Sequence, residues 1–224
     1  MLFTSIAAAV AVAVAVPAAR ALPQTEAQTE AQTETQAETV RCELPELRAE
    51  LVEMQRLDQE ARNGLIELVQ SGADQRSAEF QTVIRKAVEL DRKHAARLKA
   101  IIGSHGWPTK TLVAEDGAFA AWLIAQHADF DPAFQQRCLE LMKPHVGTGE
   151  IDDRNWAMLT DRVLLAKGEK QRFGTQLEKT PDGSSHRMRP CENPETVDRR
   201  RAEVGLPPIA VYIASVNDSL GRGG

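Results

Sequence analysis

Gly117–Asp131 reads GAFAAWLIAQHADFD, and its first part decides the fold. Ala118–Ala125 carries no polar side chain, is too short to span a membrane and has no polar face. It therefore predicts a helix buried on all sides, which requires other helices around it. The run ends in Gln126, His127, Asp129 and Asp131, so a buried helix delivers a histidine and two carboxylates at its C-terminal end.

Outward from this rod the pattern stays helical. Leu44, Leu47, Leu51, Met54, Leu57 and Ala61 keep three-to-four spacing, and Leu65, Leu68 and Val69 carry it towards Gly72. A second long helix is predicted over Ala78–Ile102, with Gly103 as its stop. Ser104–Lys110 is a turn holding Trp107 before a proline. After the rod, Asp131 caps a helix with Pro132 in its first turn and Phe134, Cys138, Leu141 and Met142 on its apolar face. Asp152 or Asp153 opens another helix that Gly168 terminates.

At Gln171 the period changes to two: Phe173, Thr175 and Leu177 alternate with Arg172, Gly174 and Gln176, and Pro181-Asp182-Gly183 supplies a turn. A β-hairpin over residues 171–190 is expected. A short helix from Asn193-Pro194 to Gly205 and a last apolar turn, Ile209–Ile213, close a domain over 42–216, with 217–224 as a mobile tail. The expected architecture is mainly α: a single helical domain with a small C-terminal β-hairpin.

Residues 2–19 form an apolar run broken by Pro17, and Ala19-Arg20-Ala21 is an A-x-A site. Residues 1–21 thus read as a secretory signal peptide, and the protein as secreted or periplasmic. No Lys or Arg precedes the apolar run, which makes a retained anchor the alternative. Residues 22–41 repeat Glu, Thr, Gln and Ala with glutamates every four positions, so a helix would stack like charges; a disordered spacer is expected. The formal charge of −5 falls to −3 once the −2 of residues 1–41 is removed, which argues against a nucleic-acid or anionic-membrane partner. The basic run Arg199–Arg201 reads as a solvated helix face.

Export would place Cys42, Cys138 and Cys191 in an oxidising compartment. Cys138 lies on an apolar helix face, which leaves Cys42 and Cys191 as the expected disulfide.

The chain contains no P-loop, G-x-G-x-x-G, H-E-x-x-H or G-x-S-x-G. Candidate chemistry rests on placement. His127 at a helix C-terminus is lowered by burial and raised by the helix dipole and by Asp129, a balance suited to general acid/base work. A core histidine satisfied by a carboxylate is the plainer alternative. His127, with Asp129 or Asp161 orienting it, forms the candidate catalytic group; Asp58, Arg162, Gln176 and Trp107 are candidates for substrate binding. Asp58 and Arg62, one turn apart, also read as an ordinary exposed ion pair. His127, Asp129, Asp131 and Asp58 lack diagnostic ligand spacing, and no metal is expected.

MQRLDQEAR (Met54–Arg62), GWPT (Gly106–Thr109), AAWLIAQHADFD (Ala120–Asp131), FQQRCLELM (Phe134–Met142), LTDRV (Leu159–Val163), FGTQ (Phe173–Gln176) and VDRRRAEVGLPPI (Val197–Ile209) together resemble a bacterial family known only as a domain of unknown function. The resemblance implies one α-helical domain ending in a hairpin and short helices. It carries over no activity, cofactor or catalytic residue. It also implies that His94 stands where the family usually has an amide, and that Cys191 is particular to this chain.

Two functions compete. An exported acid/base enzyme, a hydrolase or transferase acting on a small or peptide-like substrate, predicts that the polar residues converge on a solvent-connected hollow. A non-catalytic extracytoplasmic binding module predicts that they satisfy one another and are sealed, with an apolar groove elsewhere. A purely structural scaffold is the third possibility.

Overall fold

The computed structural model describes residues 42–221, with side chains to 218. The expected signal segment (1–21), the spacer (22–41) and the last residues, 222–224, lie outside it.

Among the described residues seven α-helices and one two-stranded sheet follow in the order α1 Pro45–Gln70, α2 Ala78–His105, α3 Lys110–Gln126, α4 Pro132–Met142, α5 Asp153–Ala166, β1 Leu177–Lys179, β2 His186–Met188, α6 Val197–Glu203 and α7 Ile209–Gly221. The protein is mainly α with a small hairpin. Among these residues no helix is long and apolar enough to cross a membrane.

The rod is α3. Ala120, Ala121, Trp122, Leu123, Ile124 and Ala125 are all buried, and within Ala118–Ala125 only Phe119 reaches solvent, at 37% exposure. It packs along α1 and against α2, α4 and α5, which share one core with Leu51, Met54, Leu98, Ile101, Phe134, Cys138 and Leu159. Trp107 belongs to this core and is 4% exposed, so it lines no open groove.

Local signals set the helix ends. Ser77 Oγ accepts from Phe80 N at 3.1 Å, Asp131 Oδ1 from Phe134 N at 3.0 Å, and Asp152 Oδ1 from Arg154 N at 2.9 Å. Gly103 does not stop α2. The helix continues to His105, and Gly106, at φ 76°, ψ −162°, adopts a conformation that favours glycine and ends it. Near its start α3 is broken at Val113 and Ala114, the latter at φ 56°, ψ 179°. An alanine there is strained, by about 1–3 kcal/mol.

The hairpin is shorter than the alternation suggested. Its register pairs Leu177 with Met188, Glu178 with Arg187 and Lys179 with His186. Gln171–Gln176 is not a strand; its backbone wraps around a buried carboxylate, as described below. Residues 217–221, expected as a mobile tail, belong to α7.

Of the basic run only Arg199 is solvated, at 78% exposure. Arg200 and Arg201 are 8% and 0% exposed. Arg200 Nε donates to the carbonyl of Arg172 (2.8 Å), and Arg201 donates to those of Phe173 (2.7 Å) and Pro207 (2.6 Å). They brace the Gln171–Gln176 loop from behind, a role that needs long, fixed-charge donors.

The expected Cys42–Cys191 disulfide is absent: all three cysteines are free. Residues 43 and 44 bond to the carbonyls of Thr111 and Leu112, which ties Cys42 to the start of α3, with its thiol towards Leu112 O at 3.7 Å. Cys191 bridges to Gln171 and faces Arg200 at 3.8 Å, inside the C-terminal packing. Each thiol is anchored to a different part of the domain, so no bond joins them.

Candidate functional site

Four helices and one loop converge where α3 ends. α1 contributes Asp58 and Arg62, α2 contributes Asp91, α3 ends at His127, the following turn carries Asp129, α5 carries Arg162, and the loop after α5 carries Gln176. Asp58 stands at a core position of α1, in the series Leu47, Leu51, Met54, and is 3% exposed. The expected exposed ion pair with Arg62 is therefore a buried one.

Asp58 Oδ1 lies 2.9 Å from His127 Nδ1, and its Oδ2 accepts from Gln59 Nε2 at 2.8 Å. Arg62 reaches several of these groups. Its terminal nitrogen donates to Asp58 Oδ1 at 3.2 Å and to Asp91 Oδ1 at 2.8 Å, while its Nε lies 3.3 Å from Asp58 Oδ2 and 3.0 Å from His127 Nδ1. These contacts decide the tautomer. A bare Nδ1 would aim its lone pair at a carboxylate oxygen, whereas Arg62 Nε already has Asp58 Oδ2 as an acceptor. Nδ1 therefore carries the proton and donates to Asp58, and Nε2 keeps the lone pair. The His127 side chain is 10% exposed, and its Nε2 has no protein partner and is not sealed in.

The electrostatics agree with this assignment. Burial lowers the His127 pKa, Asp58 opposes the shift, and the charges of Arg62 and Arg162 add to it, so the ring is neutral at pH 7. Burial works to raise the Asp58 carboxyl, but His127 and Arg62 outweigh it and hold it below the usual range. Asp91 is pushed up to about 6, chiefly by burial and further by Asp58 and Asp129, with Arg62 opposing.

Asp129, expected to orient His127, faces Arg162 instead. Both of its oxygens accept from that guanidinium, at 2.8 and 3.0 Å. Gln135, 1% exposed, donates to Asp129 Oδ1 and to the carbonyls of Ala125 and Gln126, tying the Arg162–Asp129 pair to the end of α3. Arg162 NH1 reaches Gln176 Oε1 at 3.5 Å.

Asp161 does not contact His127. It is fully buried on the other side of α5 and accepts from the backbone N–H groups of Arg172, Phe173 and Thr175 and from Thr175 Oγ1, at 2.7–2.9 Å. Burial raises its pKa against the pull of these four donors. It shapes the loop that presents Gln176 and makes no bond to His127. The buried Phe173 and Thr175 looked like one face of a strand because every second residue turns inward around this carboxylate.

The structure thus unites Asp58, His127, Asp129, Arg162 and Gln176 of the expected residues and leaves out Asp161 and Trp107. Asp91 was missed as a site residue. Its signal was present: it continues the α2 series Phe80, Ile84, Ala87 at helical spacing, and an acid in an apolar stripe needs a partner. A separate groove lined by Lys99, Ile102, Gly103, Asp131, Phe134 and Arg137 contains none of these groups, and Lys99 and Asp131 there are paired at 2.6 Å. Among the described residues no three His, Cys, Asp or Glu side chains form a set that would hold a metal ion.

Chemically, the arrangement is a carboxylate–imidazole pair with the basic nitrogen unpartnered, flanked by two guanidiniums, and among the described residues no Ser hydroxyl or Cys thiol bonds to it.

No curated protein and no solved structure matches the chain. Residues 45–223 match a family of unknown function, DUF6624, and the protein belongs to that family.

Proposed function

We propose that this protein is an exported acid/base enzyme, a hydrolase or group transferase on a small-molecule or peptide-like substrate. His127 is its proton carrier and Asp58 the group that orients the ring. This role for Asp58 replaces those first given to Asp129 and Asp161. Arg162, held by Asp129 and backed by Gln176, positions the substrate. The observation that carries the reading is the polarity of the His127 ring, with Nδ1 bound to a buried carboxylate and Nε2 unpartnered and open. A histidine needed only for packing would have both nitrogens satisfied or sealed. The signal-like residues 1–21 support export.

One observation favours a non-catalytic binding module: Asp58, Arg62, Asp91, Asp129 and Arg162 already pair among themselves. The two readings separate on turnover. A panel of chromogenic esters, amides and phosphoesters is assayed with the wild type, His127→Gln and Asp58→Asn, each checked for folding by its thermal melt. The enzyme reading expects His127→Gln to lose at least about a hundredfold in kcat/KM while staying folded, and Asp58→Asn to keep part of the rate with an altered pH profile. Turnover that survives His127→Gln, or none by the wild type on any class, defeats it.

A further inference from the structure

Around His127 the acid oxygens are paired except Asp91 Oδ2, whereas each guanidinium keeps one open edge. Both oxygens of Asp58 and both of Asp129 accept hydrogen bonds, and Asp91 Oδ1 accepts from Arg62. Arg62 spends its Nε and one terminal nitrogen on Asp58 and Asp91; its other terminal nitrogen, NH1, has no partner and is not sealed. Arg162 spends the same two nitrogens on Asp129, and its NH1 has only the 3.5 Å contact to Gln176.

These side chains are 21% and 13% exposed, so both open edges lie at the margin of the buried cluster rather than in free solvent. Arg62 sits against the histidine, and Arg162 lies near enough for its charge to act on the ring. Arg62 Nε is 3.0 Å from Nδ1, and Arg162 is tied through Asp129 and Gln135 to the carbonyl of Gln126, the residue before it. Two guanidinium edges with unused N–H groups, beside one unused imidazole lone pair, match an oxyanion whose neighbouring atom exchanges a proton with Nε2.

We infer that the open side of His127 takes the oxyanion of its substrate, a phosphoryl or carboxylate group, against the unused edges of Arg62 and Arg162. This rests on the enzymatic reading for its consequence, but the binding itself does not require turnover. The Asp58 and Asp129 carboxylates do not take the anion's place, because their oxygens are already turned to the inner edges of the same guanidiniums. They hold each fork in a fixed orientation, so the anion meets preformed donors.

The test is a titration of the full chain at about pH 7 with inorganic phosphate and, separately, with acetate. It follows the His127 ring nitrogens by long-range proton–nitrogen NMR. A saturable shift of Nε2 with at least one anion is expected. Arg162→Gln should weaken the affinity by at least about tenfold, the worth of one charge-assisted hydrogen bond. Asp129→Asn, which keeps an oxygen on the Arg162 fork but removes a negative charge beside the anion, should tighten it. Saturation by phosphate alone assigns a phosphoryl substrate, by acetate alone a carboxylate, and by both a general oxyanion subsite.

If Arg162→Gln does not fold, Arg162→Lys and Asp129→Asn carry the test, with weaker and tighter binding expected. No saturable shift with either anion, or equal affinity across the variants, overturns the inference. His127-dependent turnover of neutral substrates without anion binding would remove this inference and leave the enzymatic reading intact. Anion binding without any His127-dependent turnover would do the reverse.

Discussion

Replacing Asp91 by Asn should stabilise the protein, and only above acid pH. Arg62 serves two carboxylates at once, and Asp91 also feels the charges of Asp58 and Asp129 while being largely buried. Its carboxyl moves from the ordinary 3.8 to about 6 even with Arg62 beside it. The folded state therefore binds this proton more tightly than the unfolded chain does. Below pH 3.8 both states are protonated and the group contributes nothing. Between 3.8 and about 6 stability is progressively lost, and above 6 the full penalty is present. At about 1.4 kcal/mol per pH unit, that penalty is about 3 kcal/mol at most.

Asparagine keeps a carbonyl oxygen for the 2.8 Å bond from Arg62 but loses the charge. A net gain of about 1–2 kcal/mol at pH 8 is expected, a rise in Tm of about 2–8 °C for a domain of this size. Urea or thermal unfolding of wild type and Asp91→Asn at pH 8 and again near pH 3.5 measures it. An equal effect at both pH values, or a loss of stability at pH 8, would refute the reasoning that Asp91 is the over-subscribed partner of Arg62.

Asp161→Asn should destabilise by about 2–4 kcal/mol, despite removing a buried charge, because the amide would turn donors towards N–H groups that need an acceptor; chemical denaturation reads it. Ala114→Gly should be neutral or stabilising by up to about 1 kcal/mol, since relief of the strained backbone offsets the lost methyl. The same change at Ala121, fully buried in regular helix, should cost about 1 kcal/mol or more. Thiol titration in denaturant without reductant should find all three cysteines reactive, and a count of one would restore a disulfide.

The helices were legible because their signals are local. The three-to-four spacing of Leu47, Leu51 and Met54, the cap and proline at Asp131-Pro132 and the unbroken apolar rod of α3 each refer to residues within a turn or two. Where a local signal misled, the backbone had a longer-range correspondent. Gly103 is a permissible helix residue because Gly106 provides the stop. The alternation of Phe173 and Thr175 is set by a carboxylate from α5 rather than by a strand partner. Arg200 and Arg201 lie in a charged run that composition places in water, yet the carbonyls they satisfy belong to distant loops.

Sequence alone determined that a mainly helical domain would bury α3 and would end it with a histidine among acids and amides. It could not say which acid would meet that ring. His127 pairs with a carboxylate 69 positions earlier in the chain, not with the Asp129 beside it. Helical periodicity states which way a side chain points from its own helix but not which residue of another helix lies opposite. That is settled only when α1, α2, α3 and α5 pack, and the same packing leaves the second nitrogen of His127 and one edge of each arginine facing outward.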